Sequence, residues 1–132
     1  MKKISIAILL AFAAITLVSG CSKGYESRKS AGDLAITLSI ERYPLVKGDN
    51  ALNVQVLDAS GKPLTDATVS VRYYMPPMPG MAPMEFTTQA MPKGNAYALS
   101  ANVPMEGGWK ADVSVARPGK PASMVTFNLD AR

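Results

Sequence analysis

Apolar and polar residues alternate with a period of two along most of the chain after residue 33. Because successive side chains of a β-strand point to opposite faces, this alternation is typical of strands that bury one face. Seven runs of this kind are predicted to be strands: residues 34–40, 52–56, 69–73, 85–89, 97–101, 109–115 and 125–129. No segment shows a sustained helical period, so an all-β fold is predicted.

Turn-forming residues separate these runs, as in Ser60-Gly61-Lys62-Pro63 and Glu106-Gly107-Gly108. Seven short strands in about 100 residues predict two packed sheets, an immunoglobulin-like β-sandwich. The cysteine–tryptophan–cysteine pattern of true immunoglobulin domains is missing, so the likeness concerns architecture alone. The single tryptophan, Trp109, lies on the apolar face of its strand and is expected to anchor the core.

The first 20 residues follow a different pattern. Lys2 and Lys3 precede an apolar run over residues 4–18, and small residues close it. This order is typical of a secretory signal peptide. The run is about 15 residues long, shorter than the roughly 20 residues that a membrane-spanning helix needs. Its end resembles the lipobox of bacterial lipoproteins: Leu17-Val18-Ser19-Gly20-Cys21.

The lipobox resemblance implies that residues 1–20 are removed and that Cys21 carries lipid. Cys21 is the only cysteine in the chain, and lipidation accounts for it; an ordinary signal peptide with a chance cysteine is the alternative. The domain would then face the periplasm or the cell exterior, and Ser22 in place of aspartate favours the outer membrane in a diderm bacterium. Residues 21–32 are expected to form the lipidated cysteine and a flexible tether, and residues 33–132 the domain.

Composition argues against several functions. Loss of Lys2 and Lys3 leaves a formal charge of +2 with no basic run, so a nucleic-acid partner is not expected. The chain has no histidine, which is the commonest general base and zinc ligand. With Cys21 lipidated and no paired-carboxylate motif present, we expect the protein not to be an enzyme.

Methionine is the unusual feature of the composition. Six of the eight methionines lie between residues 75 and 105, and four recur at every third position among four prolines: Met75, Met78, Met81 and Met84. Such proline density favours polyproline II, in which neighbouring methionines would be about 9 Å apart and the outermost two about 28 Å apart. A three-sulfur site therefore requires a bend, for which Pro79-Gly80 is the natural position.

Thioether sulfur is soft, which suits Cu(I) and Ag(I) and disfavours zinc, calcium and magnesium. The predicted metal ligands are therefore Met75, Met78, Met81 and Met84, with Met91 or Met105 as additional donors. Two other interpretations stay open. The segment is either a gap-filling loop over one end of the sandwich or an adaptable surface that contacts a partner protein.

Several motifs, in their order and spacing, together resemble the YtkA-like domain family, which is related to the FixH-like proteins. They are Gly48-Asp49-Asn50-Ala51-Leu52-Asn53-Val54, Asp58-Ala59-Ser60-Gly61-Lys62-Pro63-Leu64, Asp66-Ala67-Thr68-Val69, the methionine segment, Gly94-Asn95-Ala96-Tyr97 and Met105-Glu106-Gly107-Gly108-Trp109. The resemblance covers roughly residues 34–129. It implies an extracytoplasmic sandwich, often membrane-attached, that in some members is associated with metal efflux or with assembly of copper-containing oxidases.

Two functions follow as hypotheses. The first is a membrane-anchored lipoprotein that binds Cu(I) or Ag(I) through the methionine segment. The second is a metal-free accessory module that contacts another envelope protein through the same segment. Because the Met-Pro stretch belongs to the family pattern, the resemblance also favours a role for it in the fold.

Overall fold

A computed structural model describes residues 24–132, which form nine β-strands. The signal peptide and Cys21 lie outside the described residues. In chain order the strands are β1 (Tyr25–Ala31), β2 (Leu34–Ile40), β3 (Gly48–Leu57), β4 (Thr68–Met75), β5 (Met84–Gln89), β6 (Met91–Lys93), β7 (Ala96–Val103), β8 (Gly107–Ala116) and β9 (Ser123–Ala131).

The strands form two antiparallel sheets. One has the order β1-β2-β3-β7-β6 and the other β5-β4-β8-β9. The apolar positions of the alternating runs face each other between the sheets, and Ile36, Val54, Val71 and Val113 are fully buried there. The predicted all-β sandwich is confirmed, and each of the seven predicted runs lies in a strand.

Trp109 is 2% exposed and anchors the core as predicted. Its indole Nε1–H donates a hydrogen bond to the Met105 carbonyl at 3.1 Å, so the buried ring leaves no polar atom without a partner. Within residues 24–132, no helix is long and apolar enough to cross a membrane.

Most of the segment predicted to be a flexible tether is a β-strand. Residues 25–31, expected to be flexible, pair with β2 along their whole length, from Tyr25 opposite Ile40 to Ala31 opposite Leu34. β1 is an edge strand with mostly exposed polar side chains, so it has no apolar alternation to reveal it. The sequence feature that indicates a strand before β2 is Gly32-Asp33, a two-residue hairpin turn in which Gly32 has φ +60°.

The sandwich has two ends that carry different loops. The Tyr25 end, as we call it, contains the start of β1, the end of β4, and the starts of β5 and β8. A bridge between Leu45 and Ala131 joins the two sheets at this end. The opposite end, which we call the Ala116 end, contains the β1–β2, β3–β4 and β8–β9 turns. The methionine segment therefore lies at the Tyr25 end.

Candidate functional site

The methionine segment is a β-hairpin rather than a straight polyproline helix. β4 and β5 pair in register from Ser70 opposite Gln89 to Met75 opposite Met84, and residues 76–83 form the loop. Proline has no N–H to donate, so the four prolines of this loop explain why the ladder stops at the Met75–Met84 pair. Folding the segment back on itself brings its two outermost methionines opposite each other.

The loop bends where the sequence predicted. The Met81 N–H donates to the Met78 carbonyl at 3.2 Å, and Gly80 has φ +80°. Proline followed by a glycine of positive φ is the signature of a type II turn. Met78 and Met81 are the outer residues of this turn, so their Cα atoms lie within about 7 Å of each other.

The four methionines form two unlike pairs. We call Met75 and Met84 the stem pair and Met78 and Met81 the tip pair. Met75 is 7% exposed and Met84 is partly buried against the core, whereas Met78 is 46% and Met81 39% exposed. The stem pair packs and the tip pair meets solvent.

A glycine on the neighbouring strand makes room for the stem. A Cβ at Gly107 would lie 2.7 Å from the Met75 methyl carbon, and Gly107 has φ +132°. A side chain there would be strained and would displace Met75. The methyl group of Met75 thus fills the space that the absent side chain leaves.

Aromatic rings support the base of the hairpin. Tyr73 stacks on Phe86 with ring centroids 5.4 Å apart, and Trp109 lies 6.2 Å from Tyr73 and 6.4 Å from Phe86. The Tyr73 hydroxyl also accepts a hydrogen bond from the Asn102 N–H at 3.2 Å. These contacts fix the stem to both sheets, so the tip extends from a supported base.

The two additional methionines are placed differently. Met105 is partly buried at the Tyr25 end, two residues before Gly107, and so lies at the same end as the hairpin stem. Met91 is 65% exposed on β6 and follows the far end of β5. The length of β5, about 17 Å, separates it from Met84, so the structure does not bring Met91 to the other sulfurs.

No other kind of metal site accompanies the hairpin: in residues 24–132, no group of three or more histidine, cysteine, aspartate or glutamate side chains could hold a metal ion. The charged residues nearest to the segment along the chain are Arg72 and Glu85, which form an ion pair at 2.9 Å, and Arg72 also contacts Asp112 at 3.3 Å. Between Arg72 and Glu85 the chain carries no charge at all.

Sequence comparison identifies the domain. The profile of the YtkA-like family matches residues 28–114, from within β1 to within β8, and includes the whole hairpin. The chain belongs to the YtkA-like family. No curated protein matches the chain significantly.

A solved structure supports the fold of this YtkA-like domain. The soluble domain of PmoD from Methylocystis sp. ATCC 49242 (Rockwell) superimposes with a TM-score of 0.52 at 10% sequence identity. The match covers 80% of this chain and 96% of that one. At this identity the likeness concerns the fold alone.

The YtkA-like domain also has an open depression of about 520 Å³ at the Ala116 end, lined in part by Asp33, Asp58 and Arg117. Two of its three carboxylates, Asp33 and Asp58, already have partners. Arg117 donates to Asp33 at 2.8 and 3.2 Å and lowers the pKa of that carboxyl. Asp58 accepts from the Ser60 hydroxyl at 2.6 Å and from the backbone N–H of Ser60 and Lys62, which lowers its pKa. These contacts account for both side chains as supports of turns.

Proposed function

We propose that this YtkA-like protein is an extracytoplasmic lipoprotein, anchored through Cys21, whose methionine hairpin binds Cu(I) or Ag(I). Membership of the family supports an extracytoplasmic accessory domain. The lipobox supports the anchor, and the soft, uncharged sulfurs of the hairpin favour a soft monovalent ion. Metal-efflux or oxidase-assembly proteins of the envelope are the partners that the family resemblance suggests.

The observation that carries the metal proposal is the turn between Met78 and Met81. It places two exposed methionines within about 7 Å between Cα atoms, close enough for their flexible side chains to share one ion. Met84 follows the turn closely and is only partly buried, so we assign it as the third ligand. Met75 is packed over Gly107, and we assign it a structural role instead.

Titration of Ag(I) into the mature chain tests this proposal. The chain should carry Cys21→Ser, so that thioethers are the only sulfur donors. We expect Met78→Leu with Met81→Leu to weaken binding by more than about tenfold, equivalent to 1.4 kcal/mol. Cu(I) competition with a colorimetric chelator should give the same order of affinities.

The matched control is Met91→Leu with Met124→Leu. Those two methionines are 65% and 59% exposed but lie away from the hairpin, so their replacement should leave the affinity unchanged. Equal losses for both double variants, or no measurable binding by the parent chain, would reject the site.

A metal-free accessory function is the second candidate, and the exposure of one more apolar side chain favours it. Phe86 is 39% exposed on β5, at the base of the hairpin, and β5 is an edge strand. Pull-down from envelope membranes should lose its specific partner with Met78→Ser and Met81→Ser but keep it with Met91→Ser and Met124→Ser. A partner set unaffected by the first pair would count against the hairpin as the contact.

A further inference from the structure

The methionine hairpin and the beginning of β1 lie at the same end of the sandwich. Tyr25 pairs with Ile40 at the Tyr25 end of one sheet, and Met75 pairs with Met84 at that end of the other. The two features are at opposite edges, because β1 lies against β9 whereas the hairpin is formed by β4 and β5. The chain that connects β1 to Cys21 therefore begins at the Tyr25 end, which is also the end from which the hairpin projects.

The link between Cys21 and the domain is short. Four residue steps separate Cys21 from Tyr25, and even a fully extended chain covers only about 14 Å in that number. The predicted tether up to residue 32 would have allowed roughly 40 Å. With lipid on Cys21, the Tyr25 end has to lie close to the bilayer surface.

The hairpin tip has the composition of a segment that enters a lipid interface. Residues 77–83 are all exposed, and no charged residue occurs from Tyr73 to Met84. By contrast, three turns at the Ala116 end each carry charge: residues 32–33, 58–67 and 117–122. An uncharged, exposed loop is thus found at the end that the anchor would turn toward the membrane.

The backbone of the loop is also suited to an apolar environment. An N–H group without a partner is costly in lipid. Residues 76–83 include four prolines, which have no N–H, and the Met81 N–H is already bonded to the Met78 carbonyl. The prolines that end the β-ladder therefore also lower the cost of burying the loop in lipid.

We propose that the tip of the methionine hairpin contacts the lipid bilayer and forms a second attachment point beside the lipid on Cys21. The inference rests on the proposed lipidation of Cys21 but not on metal binding. Anchor and hairpin, at opposite edges of one end, together fix the orientation of the sandwich on the membrane. The neighbouring turns at this end carry two acidic and two basic residues, Glu41, Arg42, Lys47 and Glu106, so the contact depends little on salt.

Fluorophores at two matched alanines test the contact. Ala82 lies at the tip and Ala59 at the Ala116 end, and both are exposed. Lipidation occupies the native cysteine, so Ala82→Cys or Ala59→Cys provides a single labelling site. The labelled lipoprotein is incorporated into vesicles of phosphatidylethanolamine and phosphatidylglycerol with brominated acyl chains. We expect the emission of the label at position 82 to be quenched and that of the label at position 59 to be unchanged, at low and at high salt.

Equal emission at both positions would overturn the proposal. Met78→Asp with Met81→Asp should abolish the quenching at position 82, since charge is excluded from the acyl region. Quenching that persists in this variant would also contradict the contact.

Flotation with the vesicles separates this inference from the anchor itself. If the unlabelled chain does not float, the proposed lipidation of Cys21 is wrong. The same two labels are then measured in a chain whose residues 1–21 are replaced by a hexahistidine tag, which binds the vesicles through a nickel-chelating lipid. This replacement ends before β1, so it leaves all nine described strands in the chain. Quenching at position 82 in this tagged chain would support the hairpin contact even though the lipid anchor had failed. No quenching there would overturn the hairpin contact as well.

Discussion

The stem and the tip of the hairpin contain the same residue type at the same spacing, yet the structure gives them different surroundings. Met75 packs over Gly107 in the core, while Met78, three residues later, is 46% exposed. The difference arises from the turn at Pro79-Gly80 and from a glycine on another strand. A repeat in the sequence therefore does not mean a repeated role, and the two pairs can be tested separately.

Truncation should separate the two pairs most strongly. Met75→Ala removes a buried side chain and leaves a cavity, so we expect the free energy of unfolding to fall by about 3 kcal/mol. Met78→Ala removes an exposed side chain and should change it by less than about 0.5 kcal/mol. Urea denaturation followed by circular dichroism measures both. Similar losses for the two variants would show that the tip also packs.

Replacement of the glycine beneath the stem should have the next largest effect. Gly107→Ala places a side chain at φ +132° and 2.7 Å from the Met75 methyl carbon, which should cost about 2 kcal/mol. The adjacent Gly108 is the control, because a Cβ there would meet nothing within 4 Å. Denaturation midpoints that are equal for Gly107→Ala and Gly108→Ala would contradict the proposed packing of Met75.

The turn at the tip should tolerate change better. Gly80→Ala adds a side chain at φ +80° in open space, so strain alone should lower stability by about 1 kcal/mol. Ag(I) affinity should fall in the same variant, because the turn no longer holds Met78 and Met81 together. Unchanged affinity in a variant with the expected loss of stability would show that the turn does not organise the site.

Acid should affect stability but not the hairpin. The pKa of Asp33 is lowered in the folded protein, mainly by the hydrogen bond from Arg117, so the stabilisation is present above the ordinary value of 3.8 and is lost as the pH falls through the lower folded value. Thioethers do not titrate, and Ag(I) affinity should stay constant while the domain remains folded. Asp33→Asn should reduce the dependence of the free energy of unfolding on acid pH. An Ag(I) affinity that varies with pH above 4 would instead indicate that a titrating group is one of the ligands.

The sequence predicted the strands whose inner faces are apolar, because burial between two sheets imposes the alternation. β1 was missed since an edge strand with polar side chains has no such constraint, and β6 is a three-residue strand that contains Pro92. The bend at Pro79-Gly80 could be predicted because it depends on local backbone preferences alone. The separation into stem and tip could not, because it depends on Gly107, which only the folded topology brings next to Met75.

Trp109 gives this protein a built-in spectroscopic reporter. It is the only tryptophan, it is 2% exposed, and it lies among the aromatic rings at the base of the hairpin. Its emission wavelength should shift to the red when the core opens, and it should change little when only the exposed tip is altered or occupied. One intrinsic fluorescence spectrum can thus distinguish damage to the stem from events at the tip, without any added dye.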